Sequence, residues 1–184
     1  MSTSRTSPAV LVVVGTDYHP FDRLVRWVDD WLGGRSEPVR CLVQYGSSDS
    51  PRRAEGTAML DHESVQQLIS EARVVVSHGG PTTIAEARRR GHHPIVVPRD
   101  PRHGEHVDDH QMRFARRLAQ DGLVELVGSA EQLASSLEAR LNGSWTVPET
   151  TGGTDPVESA RRFGDLVEGL VARRPVSAPR GALR

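Results

Sequence analysis

The segment Val74-Val75-Val76-Ser77-His78-Gly79-Gly80-Pro81-Thr82-Thr83-Ile84-Ala85-Glu86-Ala87 runs from an apolar stretch through a His-Gly-Gly turn into a helical pattern. Pro81 stands where the first residue of a helix belongs, because its missing N–H has no intrahelical partner to lose there. A strand feeding a helix in this way leaves free backbone N–H groups and the positive helix end at one place, a ready site for an anion. Gly79 and Gly80 let the backbone approach a phosphate with no Cβ in the way, while Thr82 and Thr83 add hydroxyl donors. Glu86 lies four residues after Thr82, one turn deeper on the same helix face, where a carboxylate can accept two hydrogen bonds from a ribose diol. Phosphate donors and a diol acceptor on one helix end describe a nucleoside-diphosphate site. The same residues would also make a plain capped turn with His78 as a satisfied loop histidine. The lysine of a P-loop and the G-x-G-x-x-G spacing of a dinucleotide fold are both absent.

A second polar concentration is Pro98–Gln111. Asp109, His110 and Gln111 at a helix start can hydrogen-bond sugar hydroxyls; Asp108 and Asp109 can equally serve as a helix cap. His106 and His110 stand four residues apart near His103 and Asp109, which raises a metal site. The loop extends through His106 and spoils the helical spacing, so no metal site is expected. In the third loop, Gly15–Pro20, Gly15 and Thr16 could meet phosphate or donor sugar, although those residues alone also fit a tight turn with an Asp/His cap. Phe21, Trp27 and Trp31 are helix-spaced and read as packing residues.

The elements that must position these loops alternate. Ala9–Val14, Val39–Tyr45, Arg73–Ser77, Pro94–Pro98 and Leu123–Val127 are short apolar runs of the kind buried on both sheet faces, with Thr57–Leu60 a weaker candidate. Helical patterns lie between them. Phe21 to Leu32 is stopped by Gly33-Gly34, and a second helix is opened by Asp61. A third runs from Pro81 to Arg90, a fourth from Asp108 or Asp109 to Gly122, and the capping boxes at Ser129 and Asp155 open two more. This alternation predicts an α/β fold, a Rossmann-like, mostly parallel sheet with helices on both faces. In such a sheet ligands bind beyond the carboxyl ends of the strands, which selects the three loops above. The expected organisation is a flexible start (1–8), a core domain (9–142), a loop (143–154), a final helix (155–172) and a disordered tail (173–184).

A chain of 184 residues with 36% hydrophobic and 26% charged residues suits one compact domain. The net charge of −1 gives no global attraction to nucleic acid. A lone Cys41 cannot form an internal disulfide, which suits a reducing cytoplasm. No run approaches the roughly 20 apolar residues of a membrane span, and the polar first residues do not read as a signal peptide.

In sequence order, Val14-Gly15-Thr16, Phe21-Asp22-Arg23-Leu24, Gln44-Tyr45-Gly46, Ser77–Gly80, Glu86, Ile95–Pro98 and Asp108–Gln111 resemble the C-terminal, donor-binding domain of family 28 glycosyltransferases. The likeness covers roughly 10–127 and is nearest to single-domain forms: the donor-binding subunits of two-component UDP-N-acetylglucosamine transferases and their bacterial exopolysaccharide counterparts. It implies one half of a GT-B fold holding a UDP-sugar, UDP-GlcNAc or similar. His78 and the amides of Gly79 to Thr83 would hold the diphosphate and stabilise the leaving group, with Gly15 and Thr16 bordering it. Glu86 would take the ribose, and Asp109, His110 and Gln111 the transferred sugar.

The resemblance also implies no cofactor and no essential metal, and a catalytic base on a membrane-associated acceptor-binding partner that brings this cytoplasmic chain to the inner face of a membrane. Two departures stand out. Pro81-Thr82-Thr83 replaces a small-Gly-Ser type of sequence, and the proline removes one amide donor. The charged stretch 99–105 is unusual and could alter sugar choice. Two other classes, a non-catalytic nucleotide-sugar module and a stand-alone α/β nucleotide-sugar enzyme such as an epimerase relative, share the same loops.

Overall fold

A computed structural model of the chain describes residues 7–146 and Gly164. The chain divides into two units, Met1–Thr151 and Gly152–Arg184, and the architecture below is that of the first. Apart from Gly164, the expected final helix and tail lie outside the described residues, as do residues 1–6 and most of the 143–154 loop.

Six strands form one parallel sheet: β1 (Val10–Val13), β2 (Cys41–Gln44), β3 (Glu55–Thr57), β4 (Val74–Ser77), β5 (Ile95–Val96) and β6 (Glu125–Leu126). Their order is β3-β2-β1-β4-β5-β6. The chain therefore builds outward from β1 in one direction, then returns to β1's other side and builds away again. The reversal falls between β1 and β4, where Val13 and Ser77 stand level in the register. In open parallel sheets such a reversal is where ligands bind, in a crevice beyond the carboxyl ends of the strands.

Five α-helices cover the sheet: α1 (Asp22–Gly33), α2 (His62–Glu71), α3 (Pro81–Arg89), α4 (His110–Gln120) and α5 (Ala130–Leu141). Alternate strand residues face opposite sides, and both sides are covered. Val10, Val12 and Val14 pack with Leu24, Val28 and Trp31 of α1 and with Leu133 and Leu137 of α5. Leu11 and Val13 pack with Ile69 and Ala72 at the end of α2 and with Ala87 of α3. That is why β1 is apolar at every position. Each such residue, fully buried, contributes about 1.5–3 kcal/mol relative to exposure. Phe21 and Trp31 are core residues, and the Trp31 indole N–H donates to Glu138 Oε1 (2.7 Å), tying α1 to α5. Cys41 is buried, and burial pushes its thiol up to about 12, which makes it inert at neutral pH.

Local chemistry sets the helix ends. The Asp61 carboxylate accepts from Ser64 N–H (2.7 Å) at the start of α2, and Ser129 accepts from Gln132 N–H at the start of α5. Gln132 reaches back to Gly128 N–H, one residue earlier than a reciprocal capping box would place it. Gly91 follows α3 with φ of +83°, the left-handed conformation that a glycine adopts without steric cost.

Two expectations are corrected. The third strand is Glu55–Thr57 rather than Thr57–Leu60: its pairing with Leu42–Gln44 fixes the register, and exposed polar residues occupy this edge strand. The last two strands are shorter than their apolar runs, but single bonds prolong them. Val97 N–H donates to Ser77 O (3.0 Å) and Val127 N–H to Val96 O (2.9 Å).

Candidate functional site

The turns that follow β1 and β4 pass through two positive-φ glycines, Gly15 and Gly79. Val13 O accepts from His78 N–H at 3.1 Å, which extends the β1–β4 pairing one step past the strand ends. Gly15 then turns with φ of +90°. The Gln44 side chain fixes this turn, since its Oε1 accepts from Gly15 N–H (3.0 Å) while its Nε2 donates to Gly15 O (3.0 Å) and Ala58 O (2.9 Å). Gln44 entered the sequence reading only as part of a motif; its position at the last residue of β2 was the available signal.

His78 occupies the gap so created. A Cβ on Gly15 would stand 2.7 Å from His78 Cε1, and one on Gly80 would stand 2.6 Å from His78 Nε2. The ring is thus flanked by two glycines that leave it just enough room. Its Nδ1 lies 3.2 Å from Val13 O. A carbonyl only accepts, so Nδ1 carries the proton and Nε2 presents a lone pair. Burial pushes the His78 pKa down from the ordinary 6.5 to about 4, outweighing the hydrogen bond to Val13, so the ring is neutral at pH 7.

Helix α3 starts at the next residues. Gly80 is its N-cap and has no side chain to satisfy the first-turn amides. Pro81 lacks an N–H, so the amides of Thr82 and Thr83 are the donors that this helix end can offer, with the exposed Thr82 hydroxyl beside them. Glu86 sits one turn further, 5% exposed. Its carboxylate accepts from Arg89 Nη1 (2.5 Å) and from Arg90 Nη1. Burial alone would raise its pKa, but hydrogen bonds from Arg90 and Arg89 outweigh burial and hold the carboxyl below its ordinary value. Glu86 is therefore a charged acceptor already clamped by two neighbours.

The loop from Pro98 to Asp109 has two parts. In the first, Arg99, Asp100 and Glu105 turn inward, while Arg102 stays exposed. Arg99 is fully buried and donates to Val14 O (3.0 Å), His19 O (2.7 Å) and Glu105 O (2.9 Å). Glu105 is buried as well; it pairs with Arg23 (2.7 Å) and accepts from Asp100 N–H (2.8 Å). Arg102 bonds Asp100 and holds that carboxyl down at about 2. Within the stretch read as a possible influence on sugar choice, Arg99 and Glu105 brace the β1–α1 and β5–α4 loops. The brace also places a permanent positive charge, Arg99, behind the crevice. Sequence reasoning missed that role; an arginine directly after a buried strand was the signal.

The second part gathers His106, Asp108 and His110, together with Asp17 and His19 from the β1–α1 loop. Asp109 is exposed and pairs with Arg113 (3.4 Å), whereas Asp108 accepts from His110 N–H (3.0 Å), so Asp108 makes the bond expected of a cap. Gln111 Oε1 is buried with no partner among the described residues. The structure brings Gly15 against His78 directly. No hydrogen bond or ion pair among the described residues joins Asp109, His110 or Gln111 to the His78 turn. A separate groove of about 650 Å³ runs between α1 and α5, but its Trp31, Arg35 and Glu138 are already bonded to one another.

Comparison with known proteins supplies a frame for this geometry. Residues 9–151 match the glycosyltransferase family 28 C-terminal domain. Over 154 residues the chain is 31% identical to a UDP-N-acetylglucosamine--N-acetylmuramyl-(pentapeptide) pyrophosphoryl-undecaprenol N-acetylglucosamine transferase of Paramagnetospirillum magneticum, covering 73% of this chain and 40% of that one. Among solved structures, Acinetobacter baumannii MurG superposes with a TM-score of 0.56 at 20% identity, over 92% of this chain and 54% of that one. The calicheamicin glycosyltransferase CalG4 superposes at 0.52 with 18% identity, over 91% and 41%. The chain therefore spans about two fifths of the curated relative it matches, and its sheet is one half of a GT-B fold.

Proposed function

The chain belongs to the glycosyltransferase family 28 C-terminal domain family, and from that premise we propose that it is the donor-binding half of a transferase whose acceptor half is a separate partner. The observation that carries the reading is the His78 turn: a neutral imidazole held between Gly15 and Gly80, beside uncapped amides, at the reversal point of a family 28 sheet. The donor is a UDP-sugar, UDP-GlcNAc or similar. The matched relative's name, a UDP-N-acetylglucosamine-dependent transferase acting on an undecaprenol-linked substrate, supports both that donor and a lipid-linked acceptor. The amides of Thr82 and Thr83, the glycine backbone of Gly79 and Gly80, and Gly15 and Thr16 surround the diphosphate. Glu86 takes the ribose diol, and Asp109, His110 and Gln111 the sugar hydroxyls.

In transfer, the acceptor oxygen bonds to the anomeric carbon as the bond from that carbon to the β-phosphate oxygen breaks. UDP leaves with the electron pair, and the acceptor proton passes to a base on the partner. The donor half lowers the barrier by aiming fixed dipoles at the charge that develops on UDP. The buried Arg99 guanidinium adds a field of the right sign. His78 contributes once it is doubly protonated: Nδ1–H stays on Val13 O, and an added proton on Nε2 donates to phosphate.

That requirement has a sign that can be measured. In the free protein His78 titrates at about 4. A bound diphosphate raises that value, so over the interval between the two values binding takes up a proton and affinity rises as pH falls. Titration calorimetry with UDP-GlcNAc in buffers of different ionisation heat, from about pH 7 down to about pH 5, should show proton uptake that grows as pH falls toward the free value and that His78→Ala removes. A buffer-independent heat in the wild type would contradict the role given to His78.

The partner reading is tested by co-expression with candidate acceptor-binding subunits. Transfer should occur in the co-purified complex at the inner membrane face and be absent from the isolated chain. Full activity of the chain alone would favour a stand-alone enzyme. UDP-sugar binding without transfer in any complex would favour a non-catalytic module.

A further inference from the structure

We infer that Arg99 and Glu105 are positioning residues that hold the phosphate-side and sugar-side loops of the donor site as one unit, and so set how strongly the chain prefers a UDP-sugar to UDP. The inference rests on the donor reading above and names what tunes its sugar end.

One guanidinium serves both loops. Arg99, fully buried, donates from Nη2 to Val14 O (3.0 Å) and from Nη1 to His19 O (2.7 Å), the carbonyls on either side of segment 15–18. The same Nη1 donates to Glu105 O (2.9 Å), at the start of the run that enters α4. The Glu105 carboxylate is buried in its turn and receives three donors: Arg23 Nε (2.8 Å), Arg23 Nη2 (2.7 Å) and Asp100 N–H (2.8 Å). Arg23 also donates to Pro98 O (3.0 Å) and lies 4.7 Å from the centre of the Trp27 ring, so the whole brace is anchored on α1.

A buried charge is a costly way to gain stability, because apolar side chains of the same volume often serve as well. What it supplies is direction: a planar guanidinium meets carbonyl oxygens only along its fixed N–H bonds. Among the described residues the hydrogen bonds of Arg99 all go to backbone carbonyls, so backbone position is what they fix. The two loops so joined serve opposite ends of the donor. Gly15 and Thr16 border the diphosphate, and Asp109, His110 and Gln111 take the sugar hydroxyls. With the brace in place the sugar contacts are aimed before the donor arrives, and less of their energy goes into ordering the loop. Without it, the phosphate contacts of the His78 turn remain while a looser loop meets the sugar.

The test is calorimetry of the full chain with UDP and with UDP-GlcNAc. Glu105→Ala should weaken UDP-GlcNAc binding about tenfold and leave UDP binding nearly unchanged. Glu105→Gln, which keeps an acceptor for Asp100 N–H, should fall between wild type and alanine. Arg99→Lys keeps the charge without the planar fork and should resemble Glu105→Ala. Arg102→Ala, exposed over 78% of its side chain, should alter neither affinity. Equal losses for both ligands in folded variants, or an unchanged ratio, would overturn the inference and leave the donor reading standing. A wild-type chain that binds neither ligand would remove the donor reading and this inference with it. Hydrogen exchange of the wild-type chain gives a reading that needs no variant. UDP, which carries no sugar, should slow exchange at 104–108 as well as at 15–18, since one guanidinium holds both. Protection that stops at 15–18 and the His78 turn would contradict the coupling.

Discussion

Gly15→Ala is expected to weaken UDP-sugar binding roughly tenfold to a hundredfold, the value of one charge-assisted hydrogen bond of about 1.5–3 kcal/mol. The alanine methyl would stand 2.7 Å from His78 Cε1 at a position with φ of +90°. An imidazole can swing away, so the fold should survive. What it loses is the Nδ1–H bond to Val13 O, and with it the aim of Nε2 at the diphosphate. The cycle with His78→Ala isolates the effect. In that background Gly15→Ala should change donor affinity little, because there is no ring left to displace. Equal losses in both backgrounds would mean that Gly15 acts on phosphate by itself, with His78 incidental.

Glu86→Ala should have the other large effect, a loss of about a hundredfold in affinity for UDP-sugars with collapse of the preference for ribo over 2′-deoxyribo donors. The carboxylate is charged and nearly buried, and its clamps are Arg89, exposed over 66% of its side chain, and Arg90. The exposed Arg89 pair contributes little, so Glu86 can give up that partner to a ribose diol and keep Arg90, which is also held by Ser70 Oγ and Glu86 O. Glu86→Gln keeps one acceptor oxygen and should fall between wild type and alanine. Parallel affinity measurements with UDP and 2′-deoxy-UDP separate the outcomes. An unchanged ribose preference in Glu86→Ala would remove Glu86 from the site and leave it as the anchor of an arginine pair on α3.

The strand–helix alternation was legible because its signals are local. Val10–Val13 and Val74–Val76 are apolar throughout since both sheet faces are covered, and Asp61, Pro81 and Ser129 mark helix starts through chemistry confined to one turn. The edge strand Glu55–Thr57 was displaced in the reading because an exposed edge need not be apolar; pairing with β2 defines it, and pairing is not local. Of the candidate site, the glycines and His78, which the structure brings against one another, stood out in sequence. Its braces did not. Arg99 reaches across 80 residues to His19 O, and Gln44 across 29 to Gly15, so nothing in their own neighbourhoods announces a partner. The bracing by Arg99 and Glu105 was hidden for the same reason: a charge buried by distant carbonyls reads in sequence as a charge free to act.

Both expected losses presuppose a diphosphate socket formed by the His78 turn and the start of α3. The most direct test is titration of the isolated chain with uridine, UMP and UDP, followed through backbone amide resonances. UDP should bind at least tenfold more tightly than UMP, for the added phosphate contacts, and move the amides of Gly79, Gly80, Thr82 and Thr83 most. Equal affinity for all three, or shifts confined to other surfaces, would contradict the socket.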